Sequence, residues 1–138
     1  MFAAPGSVLS RTVRDGDKAF GTTIQVPIEA GHAWAGRNGV FPISLLKIDT
    51  EGADLDVLVG FEPLLAHVDA VQVEASMNPH NRAHVPFRDI EDFLRARGFL
   101  LFRFYDQTFE WKKGGRPVLR RADAAFINAR LVSLDGID

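Results

Sequence analysis

Hydrophobic and polar positions along the chain separate short buried strands from amphipathic helices. Ile43–Ile48 is an apolar run that ends in a polar, glycine-containing stretch, which is typical of a strand buried on both faces. Val68–Glu74 is predicted to be a second strand, with apolar residues alternating along it. Between the two strands we predict a helix that begins near Asp54 and ends near Gly60, followed by a short helical turn at Pro63.

The second half of the chain continues with one helix and the remaining strands. Apolar residues recur at helical spacing over Phe87–Arg97, which is therefore predicted to be a helix with Gly98 as its C-terminal cap. Two strands are predicted at Phe99–Tyr105 and Thr108–Lys112, and Ala124–Ala129 is predicted to close the sheet. The tight turn before the last strand makes the closing pair antiparallel.

The first forty residues carry weaker signals. Ser7–Val13 and Thr22–Ile28 are predicted to form a hairpin around the turn signal Asp15-Gly16. The glycine-rich stretch 31–42 is predicted to be a loop with one helical turn at residues 32–35.

The order of these elements predicts the fold class. Strands that alternate with helices predict a parallel sheet with crossover helices, and the closing hairpin adds an antiparallel strand. This combination matches the C-terminal half of a Rossmann-like methyltransferase sheet. We therefore predict a single partial α/β domain over residues 1–138, with a lead-in hairpin and loop at 1–42, an αβ core at 43–130 and a tail at 131–138.

Composition narrows the functional classes. A formal net charge of −2 favours neither nucleic acid nor an anionic membrane as a partner. The sequence contains no cysteine, which excludes disulfides, thiolate metal sites and thiol nucleophiles. It also has no apolar run near the ~20 residues of a membrane span and no signal-peptide pattern. We expect a cytoplasmic protein.

The stretch Leu46–Gly60, which reads LKIDTEGADLDVLVG, resembles the FkbM-type methyltransferase family. The resemblance continues at Val71–Ser76, at the helix with Gly98-Phe99 and at Arg121–Ile127, in the same order along the chain. It implies an enzyme that uses S-adenosylmethionine as cofactor and methylates a hydroxyl group of a sugar, a polyketide or a related small molecule.

The resemblance also points to a part that the chain lacks. Members of the family hold the cofactor with a glycine-rich turn and bind its ribose with an acidic residue. The chain has 12 glycines, and no two of them stand two positions apart, so no Gly-x-Gly turn occurs. Glu29 is a candidate for the acid, although Pro27 removes a backbone donor beside it. We therefore expect the cofactor-binding half to be missing and leave the cofactor-binding residues unassigned.

Candidate catalytic residues follow the first two confident strands. Asp49 and Glu51 come after one strand and Glu74 ends the next, so the carboxyl ends of parallel strands bring three carboxylates to one edge of the sheet. One of them can take the proton that an acceptor hydroxyl loses during methylation. As an alternative, the three can hold a hard divalent cation. His80, in the polar loop that follows, is a candidate substrate contact or base.

Other interpretations remain open at this point. His80 and His84 have i,i+4 spacing, but Pro79 and Pro86 oppose a helix that would align them, so no metal ligand is assigned. The chain is alternatively a non-catalytic remnant or interaction module, or a metal-dependent hydrolase. Loss of a neighbouring strand would also expose one edge of the sheet to self-association. Aromatic residues that alternate near the end of the chain are predicted to be core, namely Phe102, Phe104, Phe109 and Trp111.

Overall fold

The computed structural model describes the backbone of residues 2–3, 10–11 and 22–23, and all of residues 27–111 and 113–133. The three short segments are the strands β1 (Phe2–Ala3), β2 (Ser10–Arg11) and β3 (Thr22–Thr23). β2 and β3 each pair antiparallel with β1 and not with each other, so the pairing differs from the direct hairpin predicted here. The rest of that predicted hairpin, apart from the exposed residues 27–28, lies outside the described residues.

From residue 27 onward, the described part of the chain contains three α-helices, four strands and two 3₁₀ segments. In chain order they are α1 (Gly31–Asn38), β4 (Ile43–Ile48), α2 (Asp54–Phe61), a 3₁₀ helix (Glu62–His67), β5 (Val68–Ser76), α3 (Phe87–Arg95), β6 (Phe99–Glu110), β7 (Val118–Asn128) and a 3₁₀ turn (Ala129–Leu131). The predicted bounds of β4 are confirmed to the residue. The two strands predicted between residues 99 and 112 form one strand with register shifts, and Lys112 lies outside the described residues.

The four long strands form one mixed sheet in the order β4-β5-β7-β6. β4 and β5 are parallel, and β7 is antiparallel to both of its neighbours, which confirms a mixed α/β fold with a closing antiparallel hairpin. In the part of the chain that the structure describes, β4 has a strand partner on one side only. A strand edge that has no partner presents unpaired backbone groups.

The hydrophobic core lies on one face of this sheet, against α2, α3 and the first 3₁₀ helix. Side chains alternate across a strand, so Val71 and Val73 of β5 share this face with Phe126 of β7, and all three are buried. Ile90 and Leu94, one turn apart on α3, are fully buried against them. Burial of each such side chain contributes about 1.5–3 kcal/mol.

The opposite face of the sheet is more open. Leu45 is 55% exposed, and together with Ala70, Gln72 and Ile127 it lines a groove of about 390 Å³. Phe102 borders the same groove and is 64% exposed. Phe109 and Trp111 are exposed as well and only Phe104 packs on the core, so the predicted core role is wrong for the other three. The reason is that β6 is an edge strand whose register shifts break the alternation.

Candidate active site at the carboxyl ends of β4 and β5

A buried carboxylate accepts hydrogen bonds from the backbone of the turn that follows β4 and fixes its conformation. The carboxylate of Asp54 is fully buried and accepts hydrogen bonds from the backbone N–H groups of Thr50 and Gly52, each at 3.1 Å. Glu51, between these two donors, has a φ of +52°, which is uncommon for a residue with a side chain. Asp54 thus stabilises a strained turn that presents Glu51 at the end of the sheet.

Gly52 lets this turn approach a second loop closely. Its φ is +105°, and a Cβ at this position would lie 2.5 Å from the carbonyl oxygen of Ala83. A side chain therefore fits neither the backbone conformation nor the space. The close approach brings the loop after β5, residues 77–86, against the turn after β4.

A hydrogen-bond network fixes the conformation of that second loop. The side chain of Asn78 donates to the carbonyl of Leu119 and accepts from the backbone N–H groups of His80 and Asn81. Asn81 donates to the carbonyl of Arg120 and accepts from the N–H of Ala83. Both asparagines attach the loop to β7, so the residues that follow them have a fixed position over the end of β5.

The two loops bring two carboxylates and one imidazole together. His84 Nδ1 lies 3.2 Å from Glu74 Oε2 and 3.9 Å from Glu51 Oε2. One ligand-type atom from each of the three residues lies within 4.8 Å of those of the other two. We call Glu51, Glu74 and His84 the carboxylate–imidazole group.

Two atoms of this group are buried without a hydrogen-bond partner. Glu74 has an 8% exposed side chain and lies on the sheet face opposite the core, where its Oε1 accepts a hydrogen bond from Arg121. Its other oxygen, Oε2, has no hydrogen-bond partner, and neither has Nδ1 of His84, whose side chain is 5% exposed. Unsatisfied buried polar atoms are uncommon in folded proteins, and they are candidates for a chemical role.

The four residues predicted to be catalytic are not all brought together. Glu51 and Glu74 meet in the carboxylate–imidazole group, as expected for residues after parallel strands. Asp49 is exposed and belongs to no such group among the described residues. His80 is exposed and lines a separate groove of about 530 Å³.

Sequence reasoning missed His84 as a partner of Glu74 and did not connect Arg121 with Glu74. The i,i+4 spacing drew attention to His80 and His84 as a pair, but only His84 contacts the carboxylates. In the structure Pro86 pairs with Ser76 and so returns the loop to the end of β5, which the sequence does not show. No local signal pairs Arg121 with Glu74, since their contact depends on β7 lying beside β5.

The acid considered for the cofactor ribose has a partner within the chain. Both carboxylate oxygens of Glu29 accept hydrogen bonds from the guanidinium of Arg37 on α1. These hydrogen bonds, with a smaller contribution from the charge of Arg37, lower the pKa of Glu29 below its usual 4.5. Glu29 is therefore engaged in a surface ion pair.

A family model described as the methyltransferase FkbM domain matches residues 15–101. The chain belongs to the FkbM methyltransferase family. The matched region contains the whole carboxylate–imidazole group, whereas Arg121 lies beyond it. No curated protein and no solved structure matches the chain. Among the described helices, none is long and apolar enough to cross a bilayer.

A methyltransferase family implies S-adenosylmethionine as cofactor, and the described residues contain no glycine-rich turn to hold it. The turn from β4 into α2 holds one glycine, Gly52, and the space beside its Cα is taken by the carbonyl of Ala83. The sequence contains no Gly-x-Gly turn elsewhere. What the described part of this FkbM domain offers is a set of proton-accepting groups at a sheet edge.

Proposed function

We propose that this FkbM domain contributes the acceptor side of an S-adenosylmethionine-dependent methyltransferase that modifies a hydroxyl group of a sugar or another small molecule. The observation that carries the proposal is the buried contact between Glu74 and His84 at the carboxyl ends of β4 and β5. In open α/β sheets, ligands bind outside these strand ends. Family membership supports the transferase class.

The chemistry of the proposal concerns the acceptor proton. A hydroxyl group that attacks a methyl group must lose its proton, and a carboxylate or a neutral imidazole within hydrogen-bond reach can accept it. Glu74 Oε2 and His84 Nδ1 are both free of hydrogen-bond partners, while Arg121 fixes the orientation of Glu74. Glu51, with a 34% exposed side chain, is placed to orient the incoming hydroxyl.

The rest of the acceptor has two candidate contacts. Asp49 is exposed beside the turn that presents Glu51, so it is a proposed polar contact. His80 lines its groove together with Trp111 and Arg116. An aromatic ring flanked by polar groups suits a hydroxylated ring compound, because the ring covers its apolar face and the polar groups bind its hydroxyls.

We further propose that the mixed sheet is the C-terminal half of a Rossmann-like sheet. The strand order and the helices that link β4 to β5 and β5 to β6 support this assignment. On this proposal the cofactor is held by residues other than those described here. A cytoplasmic location is part of the proposal, and a chain without cysteine is compatible with it.

The test is a methyl-transfer assay with the gene's full product. The protein is incubated with S-adenosylmethionine labelled on its methyl group and with a panel of sugars and other hydroxylated small molecules. The proposal expects label to appear on oxygen of at least one compound. Label on nitrogen or carbon only, or none on any compound although the cofactor binds, contradicts it.

A second candidate is an interaction module that keeps the fold without catalysis. The lack of any Gly-x-Gly turn in the sequence favours it. Calorimetry with the cofactor discriminates the two: this candidate predicts that the full gene product binds no S-adenosylmethionine at millimolar concentration. Micromolar affinity, about −8 kcal/mol, excludes it.

A further inference from the structure

The carboxylate–imidazole group has the composition of a metal site. We propose that Glu51, Glu74 and His84 bind a divalent transition-metal cation. The proposal concerns the same two atoms as the proposed function: a cation bound there would acidify an acceptor hydroxyl in place of direct proton transfer to Glu74 or His84. Its test stands apart, because cation binding is measured without any reaction.

The distances within the group suit one shared cation. When carboxylate oxygens and imidazole nitrogens lie about 2.0–2.2 Å from a metal, neighbouring ligand atoms are about 3–3.6 Å apart. Glu74 Oε2 and His84 Nδ1 already have such a separation, 3.2 Å. Glu51 Oε2 lies 3.9 Å from the same nitrogen, and its side chain is 34% exposed and has room to close the remaining gap.

The buried contact between Glu74 and His84 requires a proton or a cation between its two atoms. A neutral imidazole presents a lone pair at one ring nitrogen, and a carboxylate presents only lone pairs. Two such atoms 3.2 Å apart repel each other unless a proton or a cation lies between them. The pair does not meet hydrogen-bond geometry, since both atoms lack a hydrogen-bond partner. A cation that accepts both lone pairs removes the repulsion.

The charges around the carboxylate–imidazole group, and the residues that hold its side chains in place, also favour a bound cation. Arg121 binds Oε1 of Glu74 and leaves Oε2 directed at His84. Two carboxylates with one guanidinium leave an excess of negative charge at a largely buried position, which a cation compensates. Asp54 and Gly52 hold the turn of Glu51 in place, as supporting residues hold the ligands of a metal site.

The ligand set selects the class of cation. Mg²⁺ and Ca²⁺ prefer all-oxygen surroundings, whereas an imidazole ligand favours Zn²⁺, Fe²⁺ and related ions. Mn²⁺ accepts carboxylates and imidazole and is paramagnetic, so it serves as the probe. We expect one Mn²⁺ per chain, not displaced by Mg²⁺ at equal concentration.

The experiment titrates Mn²⁺ into the chelator-treated full chain and follows it by electron paramagnetic resonance, with pulsed detection of a nitrogen nucleus bound to the ion. Glu51→Gln, which changes one oxygen of a partly exposed side chain to nitrogen, is expected to weaken binding at least about tenfold, the lower end of what even outer-shell residues contribute. His84→Ala is expected to abolish the nitrogen signal. His67→Ala, a control at an exposed histidine of the 3₁₀ helix Glu62–His67, is expected to keep both the affinity and the signal.

Three results overturn the proposal. The first is the absence of Mn²⁺ and Zn²⁺ binding to the folded chain at millimolar concentration. The second is binding that Glu51→Gln and His84→Ala leave unchanged, because the ion then lies elsewhere. The third is displacement of Mn²⁺ by an equal concentration of Mg²⁺, which contradicts the class of cation. Far-UV circular dichroism of each variant verifies that it is folded.

Discussion

Replacement of Gly52 by alanine tests whether the approach of two loops builds the site. The added Cβ would lie 2.5 Å from the carbonyl oxygen of Ala83, well inside the 3.4 Å at which ordinary contact begins. Either the turn after β4 or the loop that carries His84 must move. The variant is therefore expected to separate Glu51 from His84 as well as to lower stability.

The expected loss in the free energy of unfolding has two contributions. A side chain at positive φ costs about 1–3 kcal/mol where the surroundings enforce that conformation. Forcing a methyl group into a filled space costs about 1–3 kcal/mol more. Gly52→Ala is thus expected to lower the free energy of unfolding by about 2–6 kcal/mol, a large share of the roughly 5–15 kcal/mol of a typical domain.

Gly98 provides a matched control. It also has a positive φ, +79°, but no atom lies within 4 Å of a Cβ built there. Gly98→Ala therefore carries the conformational cost without the clash. Urea denaturation of both variants, followed by circular dichroism, measures the difference. If Gly52→Ala is no more destabilising than Gly98→Ala, the contact with Ala83 does not determine the turn.

Three further predictions concern the hydrogen bonds of Asp54, the ion pair of Glu29 with Arg37 and the edge of β4. Asp54→Asn is expected to cost about 1–3 kcal/mol in urea denaturation, because an amide has one acceptor oxygen for two backbone donors; an unchanged midpoint contradicts this. Arg37→Ala is expected to return the pKa of Glu29 toward 4.5 in an NMR titration. Since the pKa of Glu29 is lowered in the folded chain, any stabilisation by the ion pair is present at pH values above the pKa of Glu29 in the unfolded chain and is lost as the pH falls through the folded-state pKa. A pKa of Glu29 that Arg37→Ala leaves unchanged contradicts this prediction. The chain is expected to self-associate through the free edge of β4, and Leu45→Lys to reduce this in light scattering, unless the parent is monomeric at every concentration.

Local patterns were sufficient to predict much of the fold. The bounds of β4 and the start of α3 follow from short apolar runs and helical spacing, which are properties of neighbouring residues. The order of the strands does not follow from such patterns, because β7 lies between β5 and β6 only through long-range pairing. The exposed aromatic residues of β6 were misassigned for the same reason, since alternation alone does not show that a strand lies at an edge.

In the candidate site, too, some residues were predictable from the sequence and others were not. Glu51 and Glu74 were predicted to meet because the ends of parallel strands lie at one edge of a sheet. The role of His84 was not predicted, because its position depends on hydrogen bonds between its loop and β7 and on the contact of Gly52 with Ala83. These contacts join residues distant in sequence, and no single segment reveals them.

The most direct test of the central claim is the rate of methyl transfer by Glu74→Gln in the gene's full product. The control is Glu91→Gln, which removes a carboxylate from another arginine ion pair, on the surface of α3. Because a general base typically contributes about 10²–10⁴-fold, Glu74→Gln is expected to lower the single-turnover rate at least about a hundredfold while Glu91→Gln leaves it unchanged. A Glu74→Gln protein that is folded and transfers methyl groups as fast as the control contradicts the assignment of this site.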